Sequence, residues 1–283
     1  MGGADTAGTP VAMQEFAPTY AAMLVVNEQP ITNLVNASSG TCPTFSVSTG
    51  AFSTGANTCA SGNPTVGVIS DQGVQAQFTS SMAFRRTRWL QETFMCARFP
   101  AEQNGAKVSY PGGVYQSPWP WNSFSGSESI GANARVDFQV KDGLICGNCH
   151  GTMNHIAPLL GKFDSNGIYK AGNAFQVTTP ITGTPTTVLT DWLPSTEGFG
   201  WRFGQTVADL PALGAAIAAD PGFSRCMATR VWNWAMSRGD VVNDGSAITD
   251  DLATSLTTQF VADNYNMKKL VRRVFTDPTF VRY

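Results

Sequence analysis

The residues best suited to chemistry are Cys146-Gly147-Asn148-Cys149-His150, two thiols three positions apart with an imidazole immediately after them. One helical turn places two such sulfurs side by side, where they can form thioethers to the two vinyl groups of a single haem, while the adjacent imidazole reaches the iron. The spacing therefore points to one covalent haem c, with Cys146 and Cys149 as its attachments and His150 as the proximal iron ligand. Two other chemistries use the same thiol spacing. A dithiol redox pair wants a βαβ setting and makes no use of the following imidazole. A structural zinc site needs four ligands, usually in two separated clusters, and the chain has no second C-x-x-C and only one other histidine, His155.

The face of the iron opposite His150 decides between carrying electrons and catalysis. His155 and Met153 are poor distal ligands, because five residues span at most about 17 Å and the chain would have to leave a helix and round the haem edge. His155 is expected as a surface residue or one behind the ligand. The distal thioether is left open among Met82, Met227, Met236 and Met267. Imidazole–thioether ligation raises the haem potential and suits an electron carrier. With two histidines in the chain and one committed to iron, a histidine general base is nearly excluded. Two other readings stay open. One is a haem enzyme of peroxidase or oxygenase type, with an open distal face and Arg85, Arg88 or Arg202 as donor. The other is a structural or assembly subunit of a larger haem-containing complex.

The 283 residues suffice for a sizeable core, and 42% of them are hydrophobic. Only 13% are charged, with Gly, Ser, Thr, Asn and Pro in their place, a balance that suits an exported protein. A formal net charge of −2 and the lack of a dense Lys/Arg run argue against a nucleic-acid partner. The longest apolar stretch near the start, Ala21 to Val26, is far too short to span a bilayer, so no transmembrane segment is expected. Haem c attachment takes place outside the bacterial cytoplasm. The expectation is thus a periplasmic or cell-surface protein whose signal or upstream region is absent from this numbering. The partner would be a redox protein or a larger membrane or periplasmic complex, and an oligomer is compatible with both. Of six cysteines, haem would take two. Cys42 and Cys59 bracket a Ser/Thr/Gly-rich loop and suggest a local staple, leaving Cys96 and Cys226 for a long-range bridge.

Periodicity supplies the elements that must position this group. Residues 13–36 read as a helix restarted at Pro30, with Phe16, Tyr20, Met23 and Leu24 on one face. Residues 37–65 read as an ordered loop. A second helix carries Phe84, Trp89, Leu90, Phe94 and Met95, with Arg85, Arg86 and Arg88 near its start. There the macrodipole disfavours cations, so they are expected on a solvated face or paired with haem propionates or a partner. Ser117-Pro118-Trp119-Pro120-Trp121 reads as rigid coil, 134–140 as a short strand, and 175–177 with 187–189 as a hairpin. Phe163-Asp164-Ser165-Asn166-Gly167 reads as a turn. Four helices close the chain. The second is entered through Asp220-Pro221, the third is begun by Thr249-Asp250-Asp251 and the fourth stops before Asp277-Pro278.

In this order the motifs resemble the C-terminal part of planctomycete-type cytochrome-like proteins, whose haem-binding domains are of unknown function. The likeness is carried by Phe16 to Asn36, Gly67-Val68-Ile69 through Arg88-Trp89-Leu90 to Cys96, Cys146 to Tyr169, Phe223-Ser224-Arg225-Cys226 through Arg238, and Phe260 to Phe280. The family usually carries an acidic residue and a proline soon after the methionine at Met153, and here His155 stands at the acidic position. The resemblance implies export, a single haem c and a mainly helical fold. The fold class expected is mainly α: a helical c-type cytochrome-like haem module with a C-terminal helical bundle, long irregular loops and a few short strands. Three stretches follow, as domains or as one continuous domain. Residues 1–100 form an N-terminal helical segment with its stapled loop, 101–205 the haem c-binding region and 206–283 the C-terminal bundle.

Overall fold

The C-terminal helices follow the apolar periodicity closely. Helix α6 (Leu210–Ala219), α7 (Pro221–Ala235), α9 (Asp250–Ala262) and α10 (Met267–Thr276) bury Leu213 and Ile217, Phe223 and Met227, Leu256 and Phe260, and Leu270 and Val274 respectively. Asp209, Asp220 and Asn266 cap three of them by accepting the amides of Ala212, Gly222 and Lys269 at 2.8, 2.8 and 3.1 Å. Thr249 precedes α9 without a side-chain cap, so only the acidic first turn of Asp250 and Asp251 serves that end. Two short helices, α8 (Val241–Asp244) and α11 (Pro278–Val281), complete the group, in which α7 packs against both α9 and α10.

The computed structural model describes residues 13–56, 59–60, 62–79, 83–97, 109–110, 113–114, 153–171, 193, 198–202 and 205–281. Over these residues the protein is mainly α. A 3₁₀ turn (Met13–Glu15) leads into α1 (Phe16–Val26), which buries Phe16, Tyr20, Met23 and Leu24, and the chain resumes after Pro30 as α2 (Asn33–Asn36). The stretch expected as a loop contains an antiparallel hairpin, β1 (Cys42–Ser46) with β2 (Ala51–Ala56), turned through Gly50 at φ +64°. Thr44 faces Ser53 and Phe45 faces Phe52 across the strands, and burial is confined to the start of β1, so no apolar alternation marks it. Helices α3 (Gln72–Gln77), α4 (Phe84–Met95) and α5 (153–160) follow, with small two-stranded pairs at β3 (Ser109–Tyr110) with β4 (Gly113–Val114) and β5 (Gly200–Arg202) with β6 (Gln205–Thr206). The rigid coil 117–121, the strand 134–140 and the hairpin 175–189 lie outside the described residues.

One hydrophobic core runs through the described residues and takes side chains from all three expected stretches. Leu24 and Leu90 enter it from the first, Ile156 and Leu160 from the second, Phe223 and Phe260 from the third. Helices α2 and α6 meet so closely that a Cβ on Gly214 would stand 2.1 Å from the Val35 carbonyl oxygen, which demands glycine there. Both disulfides form. Cys42–Cys59 staples the hairpin (S–S 2.04 Å), and Cys96–Cys226 joins the end of α4 to α7 (S–S 2.06 Å) across a sequence separation of 130. Arg230 of α7 reinforces that joint, donating to the Glu92 and Thr93 carbonyls at the end of α4 while pairing with Asp240 at 2.8 Å. No helix among the described residues is long and apolar enough to cross a membrane.

Candidate functional site

Cys146, Cys149, His150 and Met82 lie outside the described residues, as does the side chain of Arg202. What the structure describes is the segment that leaves the motif, 153–171, and how the fold holds it. The described part of helix α5 starts at residue 153, three positions after His150. Ile156, Ala157, Leu159 and Leu160 are all buried, which fixes the described part of the helix in the core. His155 is 7% exposed and Asn154 fully buried, so of the two places expected for His155 the surface is corrected: the buried Ile156, Ala157, Leu159 and Leu160 carry it inward with the helix.

Beyond α5 the chain makes the expected turn. Asp164 Oδ1 accepts the amides of Asn166 and Ile168, each at 2.9 Å, and Gly167 sits at φ +73°. A Cβ on Gly167 would stand 2.1 Å from the Gln72 carbonyl oxygen, because the turn is pressed against α3. Asn63 stitches the two together with a single amide group. Its Nδ2 donates to the carbonyls of Gly167 (2.9 Å) and Ser70 (3.1 Å), and its Oδ1 accepts the Tyr169 amide at 2.8 Å. Gln72 adds a bond from Nε2 to the Asn166 carbonyl at 3.1 Å, and the rings of Phe163 and Tyr169 meet edge to face.

The strongest tie is Arg86. Its guanidinium is buried, and all its hydrogen bonds to described residues go to backbone carbonyls. Nε and Nη2 bond Gln75 O at 3.0 and 2.7 Å, Nη1 bonds Leu160 O at 3.0 Å and Phe163 O at 2.8 Å, and Nη2 also bonds Asp164 O at 2.8 Å. It thereby gathers the end of α3, the end of α5 and the turn. Both helix ends present unsatisfied carbonyls and partial negative charge, which a cation suits. Burial draws this guanidinium down from the usual arginine range to about 10, eased by the charge of Asp164. The expectation that the three arginines share one environment is corrected. Arg85 and Arg88 are exposed, with Arg88 paired to Glu92 at 2.7 Å, and the two line a surface groove of about 400 Å³ beside Trp89 and Phe78. Arg86 points the other way, into the protein. Asp71, which caps α3 by accepting the Val74 amide at 3.0 Å, is buried too. Desolvation raises it from 3.8 to about 6, against the opposing pull of the Val74 and Gly73 amides.

The expected distal thioethers fall in different settings. Met227 is 8% exposed on α7, one residue from Cys226, in the same core as α5. Met236, at the C-cap of α7, and Met267, the first residue of α10, are half-buried against that core. Sequence reasoning missed Asn63 and Arg86. For Arg86 a signal exists, since Arg86, Leu90 and Phe94 recur at four-residue intervals and put the arginine on the apolar face of α4. Compared with protein-family models, with curated proteins and with solved structures, the chain finds no match.

Proposed function

We propose that the protein is an exported c-type cytochrome that transfers electrons through one covalently attached haem. The observation that carries this reading is the partition of the cysteines. Four of the six in the chain are joined in Cys42–Cys59 and Cys96–Cys226. The two left over are Cys146 and Cys149, three apart and followed by His150, which is the donor set that haem c attachment needs. The two disulfides are compatible with an oxidising compartment, where such attachment takes place. The resemblance to planctomycete-type cytochrome-like proteins belongs to the same reading.

In this reading Cys146 and Cys149 hold the porphyrin through thioethers, His150 binds the iron, and the bound group supplies reversible one-electron exchange. The remaining work is the chain's own. Helix α5, buried on its core side and tied at its end by Arg86, gives the attachment segment a fixed base three residues beyond His150. A rigid base limits the reorganisation that accompanies each change of charge. The distal thioether is assigned to one of Met227, Met236, Met267 or Met82.

The test is expression in cells with the haem c maturation apparatus. The expected protein keeps its haem through denaturing electrophoresis and shows the pyridine haemochrome spectrum of a porphyrin with two saturated vinyl positions. Replacing Cys146 and Cys149 by alanine abolishes both. A low-spin reduced spectrum inert to carbon monoxide marks a carrier, whereas ready carbon monoxide binding moves the reading to the open-site enzyme. Recovery of a haem-free protein with a Cys146–Cys149 disulfide or a bound zinc ion overturns it.

A further inference from the structure

On another part of the surface, an open cleft of about 590 Å³ lies between the end of α1, α2 and the strand start that follows, with Gly55 of β2 on its rim. That volume lies within the range of roughly 300–1,000 Å³ usual for small-molecule sites. Its lining departs from the usual apolar pocket. The side chains that give it character are Gln29, Asn33, Asn36, Ser38 and Ser39, above a buried Tyr20 whose hydroxyl donates to the Asn33 carbonyl at 3.3 Å. Among the described residues, none that lines the cleft carries a charge.

Among the described residues, none hydrogen-bonds the side chains of Gln29, Asn33, Asn36, Ser38 or Ser39. Asn36, Ser38 and Ser39 are exposed and Gln29 and Asn33 half-buried, so water meets these groups in the open cleft. Three amides, each both donor and acceptor, and two hydroxyls are gathered round one space, where a ligand's hydroxyls can take the place of that water. The walls that carry them are stiff. Gly67 donates to the Ala37 carbonyl at 2.8 Å, Val68 to that of Leu34 at 2.7 Å, and Val35 is fully buried beneath. At the rim, Gly55 lies at φ +53° opposite Cys42, so close that a Cβ would fall 2.0 Å from the Cys42 carbonyl oxygen, and the Cys42–Cys59 disulfide clamps that strand. A preformed wall spares a ligand the cost of ordering it.

The chemistry of the lining selects the ligand. Phosphates, carboxylates and cations call for a charged counter-group, and the described lining offers none. A lipid or an aromatic ring calls for a mainly apolar surface. A ligand with several hydroxyls, each able to donate and accept, matches adjacent amides and hydroxyls. We infer that this cleft binds a neutral sugar unit, making the protein a carbohydrate-binding one independently of any haem.

Isothermal titration of the full-length protein with glucose, galactose, N-acetylglucosamine, cellobiose and maltose tests this, with glucose 6-phosphate, glucuronate and an uncharged tripeptide as comparisons. The expected result is saturable one-to-one binding of at least one neutral sugar, with its charged counterpart weaker by about tenfold or more. The double variant Asn36→Ala/Ser39→Ala changes two exposed positions. It is expected to weaken that sugar by about tenfold while the unfolding midpoint stays in place. The inference is overturned if no neutral sugar saturates the protein by roughly 10 mM, if the charged sugars or the tripeptide bind as well, or if the double variant binds unchanged.

Discussion

Replacing Arg86 by methionine tests whether one guanidinium holds the segment that follows the haem motif. The usual outcome of exchanging a buried charged group for an apolar one of similar size is mild, because a partner charge can be replaced too. Here the partners are backbone carbonyls, which no substitution removes. Among the described residues, Gln75 O and Phe163 O accept from Arg86 alone, whereas Leu160 O and Asp164 O also accept the amides of Phe163 and Gly167. Two buried acceptors thus lose their donor, at about 1–3 kcal/mol each, a gross cost of about 2–6 kcal/mol. Release of the desolvated cation returns part of this, and a net loss of about 3 kcal/mol is expected. Arg86→Lys, with donors radiating from one nitrogen, satisfies fewer carbonyls and falls between the two. Urea unfolding of the oxidised protein, followed by far-ultraviolet circular dichroism, measures both variants. The midpoint falls while the slope is kept. If Arg86→Met lies within about 0.5 kcal/mol of the parent, the idea that these carbonyls depend on Arg86 is wrong.

Asp71 and the crosslinks give further tests. The folded state binds a proton at Asp71 more tightly than the unfolded chain does, since its pKa is raised from 3.8 to about 6. Its contribution to stability is therefore full below about pH 4 and declines as pH rises through 6, by at most about 3 kcal/mol. Asp71→Asn, which can still cap α3, is expected to flatten stability between pH 4 and 7 in urea titrations at stepped pH. Chain entropy assigns about 5 kcal/mol to closing the loop between Cys96 and Cys226, and about 3 kcal/mol to that between Cys42 and Cys59. Unfolding of Cys96→Ser/Cys226→Ser is expected at lower urea than that of Cys42→Ser/Cys59→Ser, and the reverse order contradicts the assignment.

The helices were legible where burial follows a period. Phe16, Tyr20, Met23 and Leu24, or Met267, Leu270 and Val274, announce their faces because one side of each helix meets the core. The β1–β2 hairpin was not, since its strands mix serine, threonine and glycine with Phe45 and Phe52, and β1 is buried only at Cys42 and Pro43, so no two-residue period appears. The Cys42–Cys59 bridge was suggested by the Ser/Thr/Gly-rich loop its cysteines bracket, and Cys96–Cys226 followed only as the pair left once Cys146 and Cys149 were set aside for haem. The three arginines of α4 illustrate the limit. Their clustering suggested a common role, and it takes helical geometry to separate Arg86 from Arg85 and Arg88. Asn63 had no local signal, because its partners Gly167 and Tyr169 lie about a hundred positions away and share no pattern with it. The cleft residues were hidden for another reason. A scatter of Asn, Gln and Ser reads as solvated surface until the fold shows them facing one space.

The Cys96–Cys226 bridge has a consequence for how the molecule comes apart. Its two α-carbons stand 5.3 Å apart, so residues 97–225 form a covalent ring whose ends are pinned at one point of the α4–α7 joint. A protease that cuts once anywhere in that ring leaves a single molecule, and the pieces separate only when a thiol opens the bridge. The stretch holding Cys146, Cys149 and His150 can therefore be nicked without being lost. Its length can also change over generations with the bracket on either side undisturbed, since the clasp fixes where the insert departs and returns, not how far it travels.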